Sequence, residues 1–360
     1  MRDGLHRGRR DRCDPTTHGP VQGPSGHGRR EDHVPGSDRA AEIASGRRGN
    51  PFAESPIRGG VRPDLAPTGR RVKSSPVGPL PPGIEERFLE AGGVRFRYLS
   101  SAGRAPGAGS VSPIFFLHGY PTWAEVWLPL AAALGPRRPW IALDLPDHNR
   151  SGPLPESDRS VSAYRRAVMA LFDALQLPKA IVVGSSLGGT LGVMLALDRP
   201  ERVERLVVLD AAGFTPTLPK KTVRLYVPFV LPSYLRAPRP RNVRRLLERA
   251  VFRDPRRIEE AWVNTIVEQW RPRRQRKAFI AAGNALRGAD ATVAGDLERV
   301  RAPTLVVWGR QDPQFDWQIG EAAARRIPQG QFVAIEDCGH FPMVEKPTET
   351  AAAVSAFLGP

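Results

Sequence analysis

The chain has 360 residues, enough for one large domain or two small ones, and a formal net charge of +16 at pH 7. It has two cysteines, Cys13 and Cys338, which exclude a disulfide framework or a cysteine-ligated zinc site within one fold. Because no apolar run reaches the roughly 18 residues of a membrane span and no signal-peptide pattern opens the chain, we expect a cytoplasmic protein without transmembrane helices.

Residues 1–83 differ in composition from the rest of the chain. They are rich in Arg, Gly and Pro, carry 15 basic against 9 acidic residues, and show neither a helical nor a strand period. Such a segment cannot bury enough apolar surface to offset the entropy lost on ordering, so we predict a disordered tail. The folded domain is expected to span residues 84–360.

The elements of this domain follow from apolar patterning. Two alternating runs, Arg87–Glu90 and Arg95–Leu99, flank Gly92-Gly93 and predict a hairpin. Six short, mostly apolar runs are typical of strands buried in a parallel sheet. They are Ile114–Leu117, Trp140–Leu145, Ala180–Val183, Val203–Leu209, Thr304–Trp308 and Gln331–Ile335. Helical periods occur at Ala124–Leu134, Ser160–Leu177, Leu187–Asp198, Trp317–Arg326 and Val344–Leu358. This alternation predicts an α/β fold with a mostly parallel central sheet covered by helices.

A long insertion interrupts the alternation at residues 213–297. It has no buried-strand run but has helix-like segments such as Val243–Phe252 and Ile258–Trp270, so we expect helices over the strand ends. Residues 213–294 hold 18 basic against 6 acidic residues. This charge indicates either a solvated face or attraction to an anionic surface or substrate. Charge alone does not lead us to expect a nucleic-acid partner.

An apolar run broken by prolines, Leu225–Pro232, lies within the insertion between Lys220-Lys221 and Arg236. Its composition favours a hinge or a pocket wall packed against the core. The alternative is peripheral contact with a membrane. In that case apolar side chains would enter the interface, and the basic residues around them would meet anionic headgroups.

The motif Gly184-Ser185-Ser186-Leu187-Gly188 lies between a buried strand and a helix. A nucleophile at a sharp strand-to-helix turn needs a strained backbone, which the small neighbours Gly184 and Gly188 allow. The helix that follows would direct its N-terminal amides at a developing oxyanion. Ser186 is therefore the candidate nucleophile, since Ser185 occupies a variable position. The alternative is a Gly/Ser-rich turn that only caps a helix.

Another buried strand ends in Leu117-His118-Gly119-Tyr120-Pro121. A backbone N–H beside the glycine could supply a second oxyanion donor alongside Leu187 N–H, and we assign this role to Tyr120. We expect His118 to be structural.

Asp312 and His340 each come just past one of the last two apolar runs. An acid that orients an imidazole, which in turn takes a serine proton, requires all three groups at one sheet edge. The carboxyl ends of parallel strands provide such an edge. Asp210, which directly follows Val203–Leu209, is an alternative candidate for the acid.

Five blocks of the sequence together resemble the α/β-hydrolase superfamily. They are HGYP at 118–121, DLPDHNRSG at 144–152, GSSLGG at 184–189, WGRQDP at 308–313 and DCGHFPMVEKP at 337–347. They are similar to the branch that contains esterases, carbon–carbon bond hydrolases, haloalkane dehalogenases and epoxide hydrolases. The resemblance implies Ser186 as nucleophile, Asp312 as acid and His340 as base, with Tyr120 and Leu187 as oxyanion donors.

The resemblance also implies that residues 213–297 form a helical cap over the pocket. Relatives tend to have glycine at the positions of Asp147 and Asn149, which predicts an altered loop at the pocket rim. No metal or organic cofactor is implied, and the expected partner is a small-molecule substrate. Dehalogenases and epoxide hydrolases have Asp at the nucleophile position, where this chain has Ser186. We therefore predict a serine hydrolase that cleaves a carboxylic ester or related carbonyl substrate through an acyl-enzyme intermediate.

Two alternatives remain. The first is a carbon–carbon bond hydrolase acting beside a ketone through the same triad, with cap arginines holding a substrate carboxylate. Those relatives often have Trp after the base, where this chain has Phe341. The second is a noncatalytic ligand-binding or interaction protein on the same fold, although such proteins usually lack members of the triad.

Overall fold

The structure, a computed structural model, describes residues 79–101, 111–154, 158–225 and 239–359. These residues lie within one compact unit, Gly69–Pro360. Nearly all of the predicted tail at 1–83 falls outside the described residues, as does most of the apolar run Leu225–Pro232.

Eight strands form one sheet. Their bounds are β1 Ile84–Ala91, β2 Val94–Ser101, β3 Ile114–Leu117, β4 Trp140–Leu143, β5 Ala180–Ser185, β6 Val203–Leu209, β7 Thr304–Gly309 and β8 Gly330–Ile335. Across the sheet they stand in the order β1-β2-β4-β3-β5-β6-β7-β8. The hairpin β1–β2 pairs antiparallel, as do β2 and β4, while the pairs from β4 through β8 are parallel. The mostly parallel α/β fold predicted from the sequence is thereby confirmed.

Helices cover the sheet and make up most of the insertion. Their bounds are α1 Leu128–Leu134, α2 Val161–Ala174, α3 Leu187–Asp198, α4 Lys220–Leu225, α5 Pro240–Ala250, α6 Glu260–Trp270, α7 Arg273–Ala285, α8 Trp317–Arg326, α9 Pro342–Glu345 and α10 Pro347–Leu358. Short 3-10 helices lie at Ala124–Trp127, Pro255–Arg257, Ala289–Ala291 and Leu297–Arg299. The described part of the insertion, α4 to α7, is thus helical. None of the described helices is both long and apolar enough to cross a membrane.

Burial explains why the central strands read as unbroken apolar runs. Every residue of β3, β4, β5 and β7 is buried, as expected for parallel strands covered by helices on both faces. Helix α3 is buried from Leu187 through Ala196. The hairpin β1–β2, at the sheet edge, keeps exposed positions.

Two predicted elements end elsewhere for identifiable reasons. The helix expected at Val344–Leu358 is divided into α9 and α10 at Lys346, whose φ of −138° and ψ of 56° are not helical. A residue that precedes proline is sterically disfavoured in the helical region, and Pro347 follows. The strand expected to reach Leu145 stops at Leu143, and the Leu145 N–H donates to Nε2 of His118 at 2.8 Å.

Candidate active site

Four side chains follow the carboxyl ends of four neighbouring strands. Ser186 follows β5, Asp210 follows β6, Asp312 lies past β7, and His340 lies past β8. All four residues are buried. Parallel strands bring their carboxyl ends to one edge of the sheet, so these groups share that edge.

Ser186 occupies the turn between β5 and α3 with a φ of 53° and a ψ of −118°. A non-glycine residue rarely takes positive φ, and such strain is common at functional sites. The turn is crowded by backbone: a Cβ on Gly188 would lie 2.0 Å from the Leu117 carbonyl oxygen, and one on Gly184 would lie 2.3 Å from that of Gly188. Glycine at both positions is therefore a steric requirement of the turn. Ser185, by contrast, is a fully buried residue of β5.

His340 and Asp312 are in direct contact. Nδ1 of His340 lies 2.8 Å from Oδ2 of Asp312, and both side chains are shielded from solvent. Oδ1 of Asp312 accepts a hydrogen bond from Gln314 N at 2.7 Å. A carboxylate partner assigns the proton to Nδ1 and leaves Nε2 unprotonated. Nε2 is buried and has no hydrogen-bond partner among the described residues, so it is available to take a proton.

Both expected oxyanion donors lie on segments that run next to Ser186. Leu187 is the first residue of α3, so its N–H has no acceptor within the helix. On the other side, a Cβ on Gly119 would lie 2.7 Å from Cβ of Ser186. Only glycine lets this loop run so close to the serine, and Tyr120 N–H is the next backbone donor along it.

His118 is fixed by two hydrogen bonds with the backbone. Its Nδ1 lies 2.8 Å from the Gly119 carbonyl oxygen, and its Nε2 accepts from Leu145 N at 2.8 Å. Burial, together with nearby His148, holds the pKa of His118 well below its ordinary value, so the ring is neutral. These contacts fit a structural role in the loop that leads to Tyr120.

The alternative acid, Asp210, lies beside the pair without bonding to the imidazole. Its Oδ1 accepts from Gly309 N at 2.9 Å. A carboxylate oxygen of Asp210, one of Asp312 and a ring nitrogen of His340 lie within 4.8 Å of one another. Because the hydrogen bond of His340 is to Asp312, the geometry favours Asp312 as the acid.

In the loop after β4, Asp147 and Asn149 stand where relatives tend to have glycine, but the backbone there has a conformation that suits glycine. Asp147 and Asn149 adopt φ values of 64° and 44°, in the left-handed region. Asn and Asp tolerate that region better than most residues. Nδ2 of Asn149 also donates to Oδ2 of Asp144 at 2.8 Å. Between them, His148 packs its ring against His118, with ring centroids 5.1 Å apart.

A buried arginine anchors this loop. Arg97 on β2 donates to Oδ2 of Asp144 at 3.0 Å and to Oε1 of Glu125 at 2.8 Å. Its Nε donates to Oε1 of Glu86 at 2.6 Å. The three carboxylates lie in different parts of the chain, so the sequence offers no local signal for this cluster.

Glu345 is a second residue that sequence reasoning left without a role. Its Oε1 accepts from Gly339 N at 3.0 Å, and its Oε2 accepts from Arg253 N at 2.8 Å and Asp254 N at 3.2 Å. The same loop is joined to the insertion by His340 N, which donates to the Val251 carbonyl oxygen at 2.7 Å. In the sequence, the signal for Glu345 was its position within the block DCGHFPMVEKP.

Aromatic side chains lie where the insertion meets the sheet edge that carries Ser186, Asp312 and His340. Trp262 of α6 packs against Trp123 and Phe341, with ring centroids 5.6 and 6.4 Å apart. Phe315 lies 5.6 Å from the His340 ring. None of the described basic residues of the insertion is buried. The three that are half-buried already have acceptors: Lys221 binds Asp316, Arg244 binds Glu260, and Arg276 binds the Trp270 carbonyl oxygen.

Sequence comparison finds known hydrolases that are similar to this chain. The chain is 27% identical over 220 residues to the 2-hydroxy-6-oxononadienedioate/2-hydroxy-6-oxononatrienedioate hydrolase of a Pseudomonas species, covering 61% of this chain and 76% of that protein. It is 24% identical over 290 residues to a monoacylglycerol lipase of Xenopus laevis, covering 77% and 82%.

Solved structures share the fold. A bacterial membrane phospholipase A matches with a TM-score of 0.66 at 26% identity, covering 77% of this chain and 86% of that one. A meta-cleavage product hydrolase from Pseudomonas fluorescens matches with a TM-score of 0.64 at 21% identity, covering 76% and 97%. The family model for the alpha/beta hydrolase fold matches residues 112–347. The chain therefore belongs to the α/β-hydrolase family.

Proposed function

We propose that this chain is a serine hydrolase that cleaves a carboxylic ester or related carbonyl compound through an acyl-enzyme intermediate. The observation that carries the proposal is the pairing of His340 Nδ1 with the buried Asp312 at 2.8 Å, while Nε2 has no partner among the described residues. Ser186 stands at the same sheet edge in a strained turn. Together these groups are suited to nucleophilic catalysis.

In the proposed reaction, Oγ of Ser186 attacks the substrate carbonyl carbon while Nε2 of His340 takes the hydroxyl proton. Asp312 stabilises the imidazolium that forms. The N–H groups of Leu187 and Tyr120 bind the negatively charged oxygen of the tetrahedral intermediate, an interaction worth about 100- to 1000-fold in rate per donor. The intermediate collapses, and the alcohol leaves with the proton from His340. Water, deprotonated by His340, then attacks the acyl-enzyme and releases the carboxylic acid and Ser186.

The surroundings of the site support an ester of an apolar acid. The side chain of Trp262, from the insertion, packs against the aromatic rings of Trp123 and Phe341 beside His340, and none of the described basic residues of the insertion is buried. A buried substrate carboxylate without a cationic partner would carry a large desolvation cost. The similar protein from Xenopus laevis is named as a monoacylglycerol lipase, a kind of ester hydrolase, which agrees with this class of substrate.

Carbon–carbon bond hydrolysis beside a ketone is the second candidate. It is supported by the similarity to the Pseudomonas hydrolase. The same serine, acid and base would serve it. The residue after the base is Phe341 rather than the Trp common in those relatives, which ranks this candidate below ester hydrolysis. A noncatalytic role is disfavoured because Ser186, Asp312 and His340 are all present.

Labelling with an organophosphonate serine probe, followed by turnover of an ester panel and of a 2-hydroxy-6-oxo dienoate, tests the proposal. Ser186→Ala should abolish labelling and lower turnover by several orders of magnitude, up to about a millionfold, because members of a triad act as a unit. Ser185→Ala is the matched control and should keep the label. Full turnover by the Ser186 variant would overturn the assignment, and faster turnover of the dienoate would favour carbon–carbon cleavage.

A further inference from the structure

Asp210 is a fully buried carboxyl group that the proposed reaction does not use. It directly follows β6, has a φ of 46°, and accepts one hydrogen bond through Oδ1 from Gly309 N at 2.9 Å. Its Oδ2 is buried and receives no hydrogen bond from any described residue. A buried polar atom without a partner normally costs about 1–3 kcal/mol, so this oxygen requires an explanation.

The group beside Asp210 is another acid. Oxygens of Asp210 and Asp312 lie within 4.8 Å of each other and of a ring nitrogen of His340. Two carboxylates can only accept hydrogen bonds, so in their ionised forms they repel each other and leave Oδ2 of Asp210 unpaired. When like charges share a dry site, one of the two groups retains its proton. A proton on Asp210 would turn the unpaired oxygen into a donor facing Asp312.

The hydrogen bonds decide which acid is ionised. Asp312 receives two, from Gln314 N at 2.7 Å and from Nδ1 of His340 at 2.8 Å. Asp210 receives only the one from Gly309 N. Donors directed at a carboxylate stabilise its charged form, so Asp312 carries the charge and Asp210 the proton. Burial and the neighbouring Asp312 both raise the pKa of Asp210 well above its ordinary value.

The other titratable groups near Asp210 favour its neutral form as well. Glu345 is a further acid whose charge disfavours ionisation of Asp210. Cys338 is a buried thiol whose pKa is raised chiefly by burial, so it adds no positive charge near Asp210. His340, whose ring nitrogen lies within 4.8 Å of a carboxylate oxygen of Asp210, becomes a cation when it takes the serine proton in the proposed reaction.

We propose that Asp210 is a positioning residue: as a neutral carboxylic acid it donates a hydrogen bond to Asp312 and holds that carboxylate against Nδ1 of His340. The pair then bears one negative charge, located on Asp312. No proton leaves Asp210 during turnover. The catalytic part of this inference rests on the proposed serine hydrolase activity, whereas the protonation of Asp210 in the folded protein does not.

Two substitutions test the inference in the full-length protein. Asp210→Asn keeps a donor and an acceptor, so kcat should fall less than about tenfold. In the pH profile of kcat, the alkaline limb of this variant should move to higher pH than that of the wild type, because no second charge can form beside Asp312. Asp210→Leu removes the donor, and kcat should fall about ten- to hundredfold, the equivalent of losing a buried hydrogen bond. KM for the ester should change far less than kcat in both variants.

A stability measurement is independent of turnover and needs only the Asn variant. An acid whose pKa is raised on folding stabilises the folded state fully below its unfolded pKa, near 4, and loses that contribution as pH rises toward the folded pKa. The Tm of Asp210→Asn should therefore exceed that of the wild type by more at pH 8 than at pH 5. Asp316→Asn, at an exposed carboxylate, is the control and should show no such trend.

Three results would overturn the inference. The first is an Asp210→Asn variant that is as impaired as Asp312→Asn and has an unshifted alkaline limb. The second is a folded Asp210→Leu variant with wild-type kcat. The third is a Tm difference that is the same at both pH values. Failure of the proposed function can be told apart from failure of this inference. Full turnover by Ser186→Ala would refute the serine mechanism, but it would not affect the interpretation of the Tm difference.

Discussion

The carboxylate of Asp312 is held at both oxygens, by Gln314 N at 2.7 Å and by Nδ1 of His340 at 2.8 Å. Asp312→Asn should leave the fold intact and lower kcat by about ten-thousandfold. The amide neither fixes the imidazole tautomer nor stabilises the imidazolium. Steady-state kinetics on the preferred ester, with the Tm as a check on folding, measure the effect.

Asp316→Asn is the matched control for this residue-scale prediction. Asp316 lies four residues further along the same loop, where it is exposed and paired with Lys221. The kcat of the Asp316→Asn variant should therefore be close to that of the wild type. If the Asp312 variant has a normal kcat and the Asp210 variant a very low one, the catalytic acid is Asp210, at the end of β6.

At the scale of elements, Glu345 joins the loop that carries His340 to the insertion. Glu345→Ala would leave three backbone N–H groups without acceptors, those of Gly339, Arg253 and Asp254. The bond from Gly339 N is buried, whereas those from Arg253 N and Asp254 N are part-buried and can be replaced by bonds to water. One unsatisfied buried group costs about 1–3 kcal/mol, so the free energy of unfolding should fall by roughly that amount. We also expect a lower kcat, since the His340 loop loses one of its contacts with the insertion and keeps the bond from His340 N to the Val251 carbonyl oxygen.

Urea denaturation and kinetics of Glu345→Ala and Glu349→Ala check this prediction together. Glu349 of α10 is exposed and lies 3.9 Å from Lys346, and an exposed pair of this kind contributes about 0–1 kcal/mol. If both variants unfold at the same urea concentration with equal kcat, Glu345 does not join the loop to the insertion.

At the scale of the whole molecule, positive charge is concentrated on the insertion, with 18 basic against 6 acidic residues at 213–294. Arg241, Arg245 and Arg249 are exposed and spaced four residues apart on α5, so they share one face. We propose that this face contacts anionic membrane surfaces. Replacing all three with Gln should weaken binding to phosphatidylglycerol-containing vesicles by up to about a hundredfold, since each basic group contributes about 1 kcal/mol.

Co-sedimentation with anionic and neutral vesicles at low and high salt measures this binding, and salt should weaken it. The control variant removes the same charge from exposed sites outside the insertion. Its substitutions are Arg137→Gln, Arg301→Gln and Arg325→Gln. Equal and negligible binding of the wild type to both kinds of vesicle at low salt would exclude the membrane contact.

Local patterning was enough to predict the class of fold and most of its elements. The strands β3, β5, β6, β7 and β8 begin and end within about two residues of their apolar runs. Every residue of β3, β5 and β7 is buried, and burial on both faces leaves an unbroken apolar signal. The motif around Ser186 could also be predicted from local sequence, since a crowded strand-to-helix turn requires glycine at 184 and 188. The order of the strands across the sheet was not predicted, because pairing between distant segments leaves no local pattern.

The contact of His340 with Asp312 rather than with Asp210 is a feature of the tertiary structure. Both acids follow neighbouring parallel strands, so sequence position alone brings both to the same edge. Asp210 comes directly after β6, whereas Asp312 lies three residues past β7, and only Asp312 bonds to His340 Nδ1. The roles of Arg97 and Glu345 were equally hidden in the sequence. Most of their partners lie 28 to 92 residues away, and the sheet and the insertion bring them together only when the chain folds.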